Sequence, residues 1–228
     1  MGGRPGLRLQ IYFDFSAYSD MALGLARIFG ITLPWNFDRP YRAANPSEFW
    51  RRWHVSLSTW LRDYLYIPLG GNRQGPVRRD ANLLATMAVG GLWHGAAFTF
   101  VLWGLWHGAL LVLHRRLSAL LPFRVPRPVA VLVTFVAVSL AWVLFRMQTV
   151  HEAGQLYASM AGAHGVGGVP GRLALYLLVA AAVVWGLPEE WRWKLDGWGW
   201  KRTAAVGAVT AVAVLSVAAT TPFIYFRF

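Results

Sequence analysis

Histidine is the residue of this sequence best suited to proton transfer, and two of its six copies stand in informative settings. His94 lies in the segment GGLWHG (residues 90–95), inside a run over 81–114 that contains no Lys, Arg, Asp or Glu. The glycines leave backbone room for a substrate, and an imidazole can accept a proton near neutral pH. The segment therefore predicts a general base at His94, although a histidine that only packs between helices fits the same residues.

The second histidine, His54, belongs to a stretch rich in Trp and Arg. Asn45, Pro46 and Glu48 predict a helix start with Asn45 as the N-cap, and this helix should run to about residue 66. His54 points with its apolar face, and the pattern is typical of a helix lying in a membrane interface or across a bundle. The face is formed by Trp50, Trp53, Leu57, Trp60, Leu61 and Tyr64.

Other catalytic chemistries have little support in the sequence. It contains no Cys, which excludes disulfides, Cys-ligated metals and a thiolate nucleophile. It also contains no G-x-S-x-G, P-loop or His-Glu-x-x-His motif. His107 would lie about 140° around a helix from His94, and Gly104 and Gly108 beside it favour a packing role. We therefore predict no metal site.

The composition indicates a membrane protein. Of 228 residues, 56% are hydrophobic and only 14% are charged, whereas soluble domains carry about 25% charged residues. The net charge of +12 would suit nucleic acid in a soluble protein, but here the basic residues lie between apolar runs. Anionic lipid headgroups and the positive-inside rule explain them, so we predict a bilayer as partner and no nucleic acid.

Four apolar segments predict membrane spans, at 81–114, 128–145, 173–188 and 203–226. The first would reach about 51 Å as one helix, well beyond a ~30 Å hydrocarbon core. We therefore expect it to tilt strongly, to break, for which its glycines offer a place, or to emerge into a protein-lined cavity. The loop that follows it is basic and is expected to have no acidic partner, which places it in the cytoplasm. Its basic residues are Arg115, Arg116, Arg124 and Arg127.

The first part of the chain, residues 1–80, differs from the rest. Its segment 9–29 is apolar yet carries two Asp and one Arg, so it is either a span lining a polar interior or a membrane-associated helix. We predict an all-α fold, a multi-pass transmembrane helical bundle with interfacial amphipathic helices. It would form a single membrane domain over 1–228, with the interfacial helices in 1–80 and the spans in 81–228.

Six sequence motifs occur in a specific order along the chain. Through these motifs and their order, the chain resembles the membrane-bound O-acyltransferase superfamily, in particular the membrane subunits of bacterial alginate O-acetylation. Ala17 stands where that family more often has Gly, and the chain is shorter than family members and resembles their C-terminal half. The motifs are QIYFDFSAYSD (10–20), NFDRPY (36–41), FWRRWHVSLSTWLRDY (49–64), YIPLGGNR (66–73), GLWHG (91–95) and PFIYFRF (222–228).

The resemblance implies an enzyme that moves an acetyl or other acyl group to a hydroxyl of a secreted polysaccharide such as alginate. It implies catalytic roles for His94 and His54, of which one takes the proton of the attacking hydroxyl and the other orients the hydroxyl or the acyl carbonyl. Ordinary interfacial ion pairs would explain the charged residues of the substrate-binding set equally well. The implied substrate-binding residues are Trp50, Arg62, Asp63, Asn72, Arg73 and Trp93.

The resemblance further implies acetyl-CoA or a related acyl thioester as donor, without a bound cofactor. Periplasmic acetyltransferase subunits would be partners, and the chain would be a multi-pass protein of the bacterial inner membrane. Two other functions stay open. A truncated, non-catalytic scaffold would dock the periplasmic subunits. A small transporter would use the histidines as a proton relay, but that function does not explain the aromatic helix over 49–66.

Overall fold

Every regular element in the described part of the chain is helical, which confirms the all-α prediction. The computed structural model describes residues 7–120, 125–163 and 171–186, with isolated positions between 199 and 208. Shorter turns, one 3₁₀ and two π, connect or extend the helices at Pro40–Arg42, Arg62–Tyr66 and Ala182–Gly186. The helices are α1 (Leu7–Ile28), α2 (Pro46–Arg52), α3 (Val55–Leu61), α4 (Gly75–His94), α5 (Phe98–Leu120), α6 (Arg127–Arg146), α7 (Val150–Met160) and α8 (Gly171–Ala181).

The long uncharged run breaks at its glycines, as predicted, and folds back on itself as the helical hairpin α4–α5. Gly95 ends α4 with φ +159°, a backbone conformation that glycine adopts most readily. Two further glycines let the helices touch backbone to backbone. A Cβ on Gly91 would overlap the carbonyl oxygen of Phe100, and a Cβ on Gly104 would overlap that of Met87.

The helix predicted to run from residue 46 to 66 begins as expected but is interrupted. The Oδ1 atom of Asn45 accepts a hydrogen bond from the backbone N–H of Glu48 at 2.8 Å, which confirms the N-cap. However, α2 ends at Arg52 and α3 begins only at Val55, so the prediction of one continuous helix was wrong.

The interruption has a tertiary cause. The N–H of Val55 donates to the carbonyl of Asn36 at 3.0 Å, and the N–H of Asp38 donates to the carbonyl of Arg52 at 2.9 Å. These bonds from the preceding loop replace the helical ladder at the break. His54 stands in the break with φ 44° and ψ 55°, a left-handed conformation that is uncommon for a non-glycine residue.

The break also divides the predicted apolar face. Trp53, Leu57 and Leu61 are buried, whereas Trp60 is 51% exposed and Tyr64 is 70% exposed. Because α3 takes a new direction after the break, the last two side chains do not continue the buried face. They stack on each other with ring centroids 5.6 Å apart.

The basic residues predicted to form a loop after residue 114 were wrongly expected to have no acidic partners, and Arg115 and Arg116 lie within α5 itself. Asp80, on α4, binds both Arg115 and Arg116, with Nε of Arg116 at 2.8 Å from its Oδ2. Arg127 lies 3.6 Å from Glu48. Both carboxylates come from helices far away in the sequence, so only the tertiary fold brings the charges together. Arg124 lies outside the described residues, and the cytoplasmic placement of the loop stays a prediction.

Among the described helices, α6 is the one that is both long and apolar enough to cross a membrane. The first predicted span is the α4–α5 hairpin, and the segment predicted over 173–188 coincides with α8 and its terminal π turn. The span predicted over 203–226 lies outside the described residues, apart from three isolated positions. A multi-pass arrangement therefore stays a prediction. α1 forms over the apolar segment at 9–29, as predicted.

Candidate active site

His94 is the last residue of α4 and lies where the hairpin meets α6. Its imidazole packs edge-to-face against Trp103 of α5 and Phe145 of α6, with ring centroids 5.2 Å and 5.0 Å away. The backbone turns sharply at Gly95, so the ring is held at a helix end rather than in the middle of the hairpin contact. His94 itself is half-buried, which leaves one side of it open to a reactant.

A small cavity lies beside His94, large enough for about one water molecule. Its walls come from five different parts of the fold: α1, the break between α2 and α3, α4, α5 and α6. The fold thus brings distant segments to one point at the histidine. The lining residues are Ile11, Trp53, His94, Trp103, Trp142 and Phe145.

His54 is buried and, like His94, packs edge-to-face with Trp93. The ring centroid of Trp93 is 6.1 Å from that of His54 and 5.0 Å from that of His94. The structure therefore brings together three of the residues predicted for the site, one from the helix break and two from the end of α4.

A polar network holds the other side of the His54 ring. Nδ1 lies 3.4 Å from Oγ of Ser56, and that hydroxyl donates to Oδ1 of Asn36 at 3.0 Å. Asn36 also accepts from the backbone N–H of Ser56 at 3.2 Å, and its amide donates to Oγ of Ser19 at 3.4 Å. Helix α1 and the loop before α2 thus orient the imidazole.

This network selects one form of the imidazole. Since the hydroxyl proton of Ser56 is used on Asn36, its oxygen can only accept from His54, which places the ring proton on Nδ1. Nε2 is left with a free lone pair. Burial also lowers the pKa of His54 to about 4, so the ring is neutral at physiological pH. Such a group accepts a hydrogen bond well but binds a proton weakly.

The remaining predicted substrate-binding residues lie elsewhere. Trp50 packs edge-to-face on His107, which is fully buried, at a centroid distance of 5.0 Å. Arg62 and Asp63 form an exposed ion pair with Nε 2.6 Å from Oδ1. Their neighbourhood faces solvent, so the structure does not join this pair to the two histidines. Their substrate-binding roles stay predictions.

The loop after the π turn holds the last two predicted residues, Asn72 and Arg73. Asn72 accepts from the hydroxyl of Tyr66 at 2.6 Å, and both Asn72 and Arg73 are exposed. The side-chain amide of Asn82 on α4 holds the loop through the carbonyls of residues 69 and 71, at 3.0 and 3.3 Å. Asn82 precedes His94 by more than three helical turns, roughly 18 Å along the axis. The loop therefore forms a separate group.

Sequence reasoning assigned no role to four residues that shape the site. Asn36 and Ser56 both stood within the ordered motifs, and a polar side chain beside a motif histidine was the available signal. No comparable signal marked Trp103 and Trp142, because a Trp in an apolar helix has the same sequence pattern whether its side chain faces lipid, the core or a cavity. In the described part of the chain, no group of three or more His, Asp or Glu side chains is placed to hold a metal.

Comparison with known proteins places this geometry in a family. The model of the membrane-bound O-acyltransferase family matches residues 5–150, the segment that contains both histidines. The chain is 50% identical over 151 residues to the probable alginate O-acetylase AlgI of Pseudomonas fluorescens, covering 66% of this chain and 30% of that protein.

Two relatives with other named functions also match. The peptidoglycan O-acetyltransferase of Helicobacter pylori is 48% identical over 160 residues, with 69% of this chain and 30% of that protein covered. The teichoic acid D-alanyltransferase of Streptococcus thermophilus is 38% identical over 98 residues, with 40% and 24% covered. The chain thus spans less than a third of the length of each of these relatives. It belongs to the membrane-bound O-acyltransferase family.

Proposed function

We propose that this protein is an O-acyltransferase that moves an acetyl group from a thioester donor to a hydroxyl of a secreted polysaccharide such as alginate. The observation that carries the proposal is that His54 and His94 both pack against Trp93, with His94 beside a small cavity. Two neutral imidazoles at one site suit transfer of a hydroxyl proton, whereas the absence of Cys excludes a thiol acyl-enzyme.

The relatives support the class of acceptor. Their printed names specify alginate, peptidoglycan and teichoic acid, which are all polymers of the cell surface. Two of the names specify acetyl transfer. We extend this to the present chain with acetyl-CoA or a related thioester as donor and periplasmic acetyltransferase subunits as partners. A multi-pass arrangement in the bacterial inner membrane would let the chain use a donor and an acceptor from opposite sides.

The proposed reaction is a direct displacement at the acyl carbon. The acceptor hydroxyl attacks the thioester carbonyl while His94 takes the hydroxyl proton, and the carbonyl electrons move onto oxygen. When the carbonyl reforms, the C–S bond breaks and His94 returns its proton to the departing thiolate. One ester and one thiol are formed from one thioester and one hydroxyl. Nε2 of His54, neutral and aimed by the Ser56–Asn36 network, orients the acceptor hydroxyl.

The proposal is tested by ester-linked acetate on secreted polysaccharide. A host lacking its own membrane acetyltransferase subunit receives the wild-type chain, His94→Ala or His151→Ala. His151 is an exposed histidine of α7 and serves as the matched control. We expect acetate with the wild type and with His151→Ala, and none with His94→Ala. The amount of each protein in the membrane fraction is measured in parallel.

Two results would contradict the proposal. Acetylation that survives in His94→Ala would remove the proposed base. Equal membrane levels of all three proteins without acetate in any strain would instead favour a non-catalytic scaffold. The scaffold is then recognised by co-purification with periplasmic subunits.

A further inference from the structure

Two indole N–H groups at the cavity beside His94 have no hydrogen-bond partner among the described residues. They belong to Trp103 of α5 and Trp142 of α6, each with 2% of its surface exposed. Both side chains line the cavity, and their ring centroids lie 5.9 Å apart. Trp103 also contacts His94 edge-to-face. The two indole side chains and the predicted base therefore line the same small space.

Leaving such donors unpaired is costly. A buried polar group without a partner loses about 1–3 kcal/mol, and proteins rarely retain one without a reason. Two other indoles show the usual solution: Trp106 donates to the carbonyl of residue 137 at 3.0 Å, and Trp185 donates to the carbonyl of Tyr41 at 3.2 Å. Trp50, which does not line the cavity, is the other described indole with a buried N–H and no partner. Neither Trp103 nor Trp142 has such a carbonyl as an acceptor, so an atom from outside the chain is the natural partner.

The chemistry of the donors limits what that atom is. An indole N–H only donates, so the partner must be an acceptor, which excludes an ammonium group or a metal cation. The cavity has room for about one water-sized atom and its walls are otherwise aromatic or aliphatic. A single carbonyl oxygen at the end of a larger ligand fits this space, whereas a whole acyl chain or a sugar ring does not.

We propose that the indole N–H groups of Trp103 and Trp142 bind the carbonyl oxygen of the acyl donor and stabilise the negative charge that develops on it during transfer. This inference rests on the proposed function. Trp103 and Trp142 are then catalytic residues of the reaction, since they contact the atom that becomes the oxyanion. Fixed donors among buried aromatic side chains stabilise such a charge strongly. When the C–S bond breaks, the carbonyl reforms and the oxygen bound by the indoles loses its negative charge.

The kinetic test uses Trp→Phe substitutions, which keep an aromatic ring in the core and remove the N–H together with part of the ring system. The full chain in liposomes, supplied with acetyl-CoA and alginate, is compared with Trp103→Phe, Trp142→Phe and His94→Ala. Trp106→Phe is the matched control, because it removes the same atoms from an indole whose N–H already has a partner, the carbonyl of residue 137 in α6. Each cavity substitution should lower kcat by about 10²–10³-fold with little change in KM, and the control should stay within about twofold of the wild type.

A second measurement does not depend on turnover. The indole N–H signals of ¹⁵N-Trp-labelled chain are assigned from the three Phe variants and followed by NMR as acetyl-CoA is added without acceptor. We expect the proton signals of Trp103 and Trp142 to move downfield as they bond to the carbonyl oxygen, and that of Trp106 to stay in place.

The outcomes separate this inference from the function on which it rests. Full turnover in both cavity variants, with none in His94→Ala, overturns the oxyanion role and leaves the acyltransferase function intact. The oxyanion role is also overturned if acetyl-CoA moves other NMR signals but leaves those of the Trp103 and Trp142 indoles in place. Signals that are already downfield and unaffected by the donor indicate an ordered water only, which also overturns the role. If no signal responds to any concentration of acetyl-CoA, both proposals fail.

Discussion

The close contact of α4 with α5 makes a strong prediction about Gly104. In an isolated helix, replacing Gly by Ala stabilises by about 0.5–1 kcal/mol, because the unfolded glycine has more conformational freedom to lose. At position 104 the new Cβ would overlap the backbone carbonyl of Met87. A helical carbonyl cannot rotate out of the way as a side chain can, so the two helices must separate. Overpacking of this kind costs about 1–3 kcal/mol, occasionally more.

The expected net effect of Gly104→Ala is therefore a loss of about 1–2 kcal/mol after the gain in helix propensity is subtracted. Gly24→Ala in α1 is the matched control, since a Cβ there meets no atom within 4 Å, and it should stabilise slightly. Thermal unfolding in detergent micelles measures both variants. A Gly104→Ala protein that is as stable as Gly24→Ala would refute the close backbone contact.

The same contact predicts non-additivity with Gly91. A Cβ at position 91 would overlap the carbonyl of Phe100, across the same interface. Once one substitution has moved the helices apart, the second finds room, so the double variant should lose less stability than the two single variants added together. Strict additivity would mean that each site relaxes by itself, which contradicts the rigid packing inferred for the hairpin.

Three other measurements test the site and its surroundings. Because burial lowers the pKa of His54 to about 4, the unfolded chain takes up a proton first as the pH falls, and stability should drop by about 3 kcal/mol between pH 6.5 and 4. His54→Gln should flatten that part of the unfolding profile, and an unchanged profile would contradict the assignment. Asp80→Asn breaks a largely buried pair with two arginines and should cost about 1–3 kcal/mol in thermal unfolding, whereas Asp63→Asn, in an exposed pair, should have no measurable effect. Ser56→Ala frees the His54 tautomer and should lower kcat for acetyl transfer with KM unchanged, while an equal fall in stability and activity would indicate a structural role alone.

The features that could be predicted from the sequence are those with local causes. Asn45 caps α2 through a bond that spans three residues, and the hairpin breaks at a glycine because that glycine adopts a conformation unfavourable to other residues. The aromatic content and the uncharged runs indicated helices packed in or against a membrane. In each case the determining atoms lie within about one helical turn of the feature that they produce.

The features that were missed depend on distant partners. The break at His54 requires hydrogen bonds from Asn36, and the pairing of Arg116 requires Asp80, which is 36 residues away. No pattern within a single helix contains this information. Similarly, the cavity is visible only when α5 and α6 are packed, since neither Trp103 nor Trp142 differs in its local sequence from a core residue.

The conformation of His54 depends on a distant residue, Asn36. His54 holds a backbone conformation that costs free energy, and the bonds from Asn36 to the adjacent residues offset that cost. The same amide group then sets the ring tautomer through Ser56. The family match ends at residue 150, and His54, His94, the Asn36 network and the described residues that line the cavity all fall before that limit. Later helices act on the site from outside, for example through the bond from Trp185 to the turn that contains Tyr41. Substitutions after residue 150 should therefore change stability before they change the chemistry at His94.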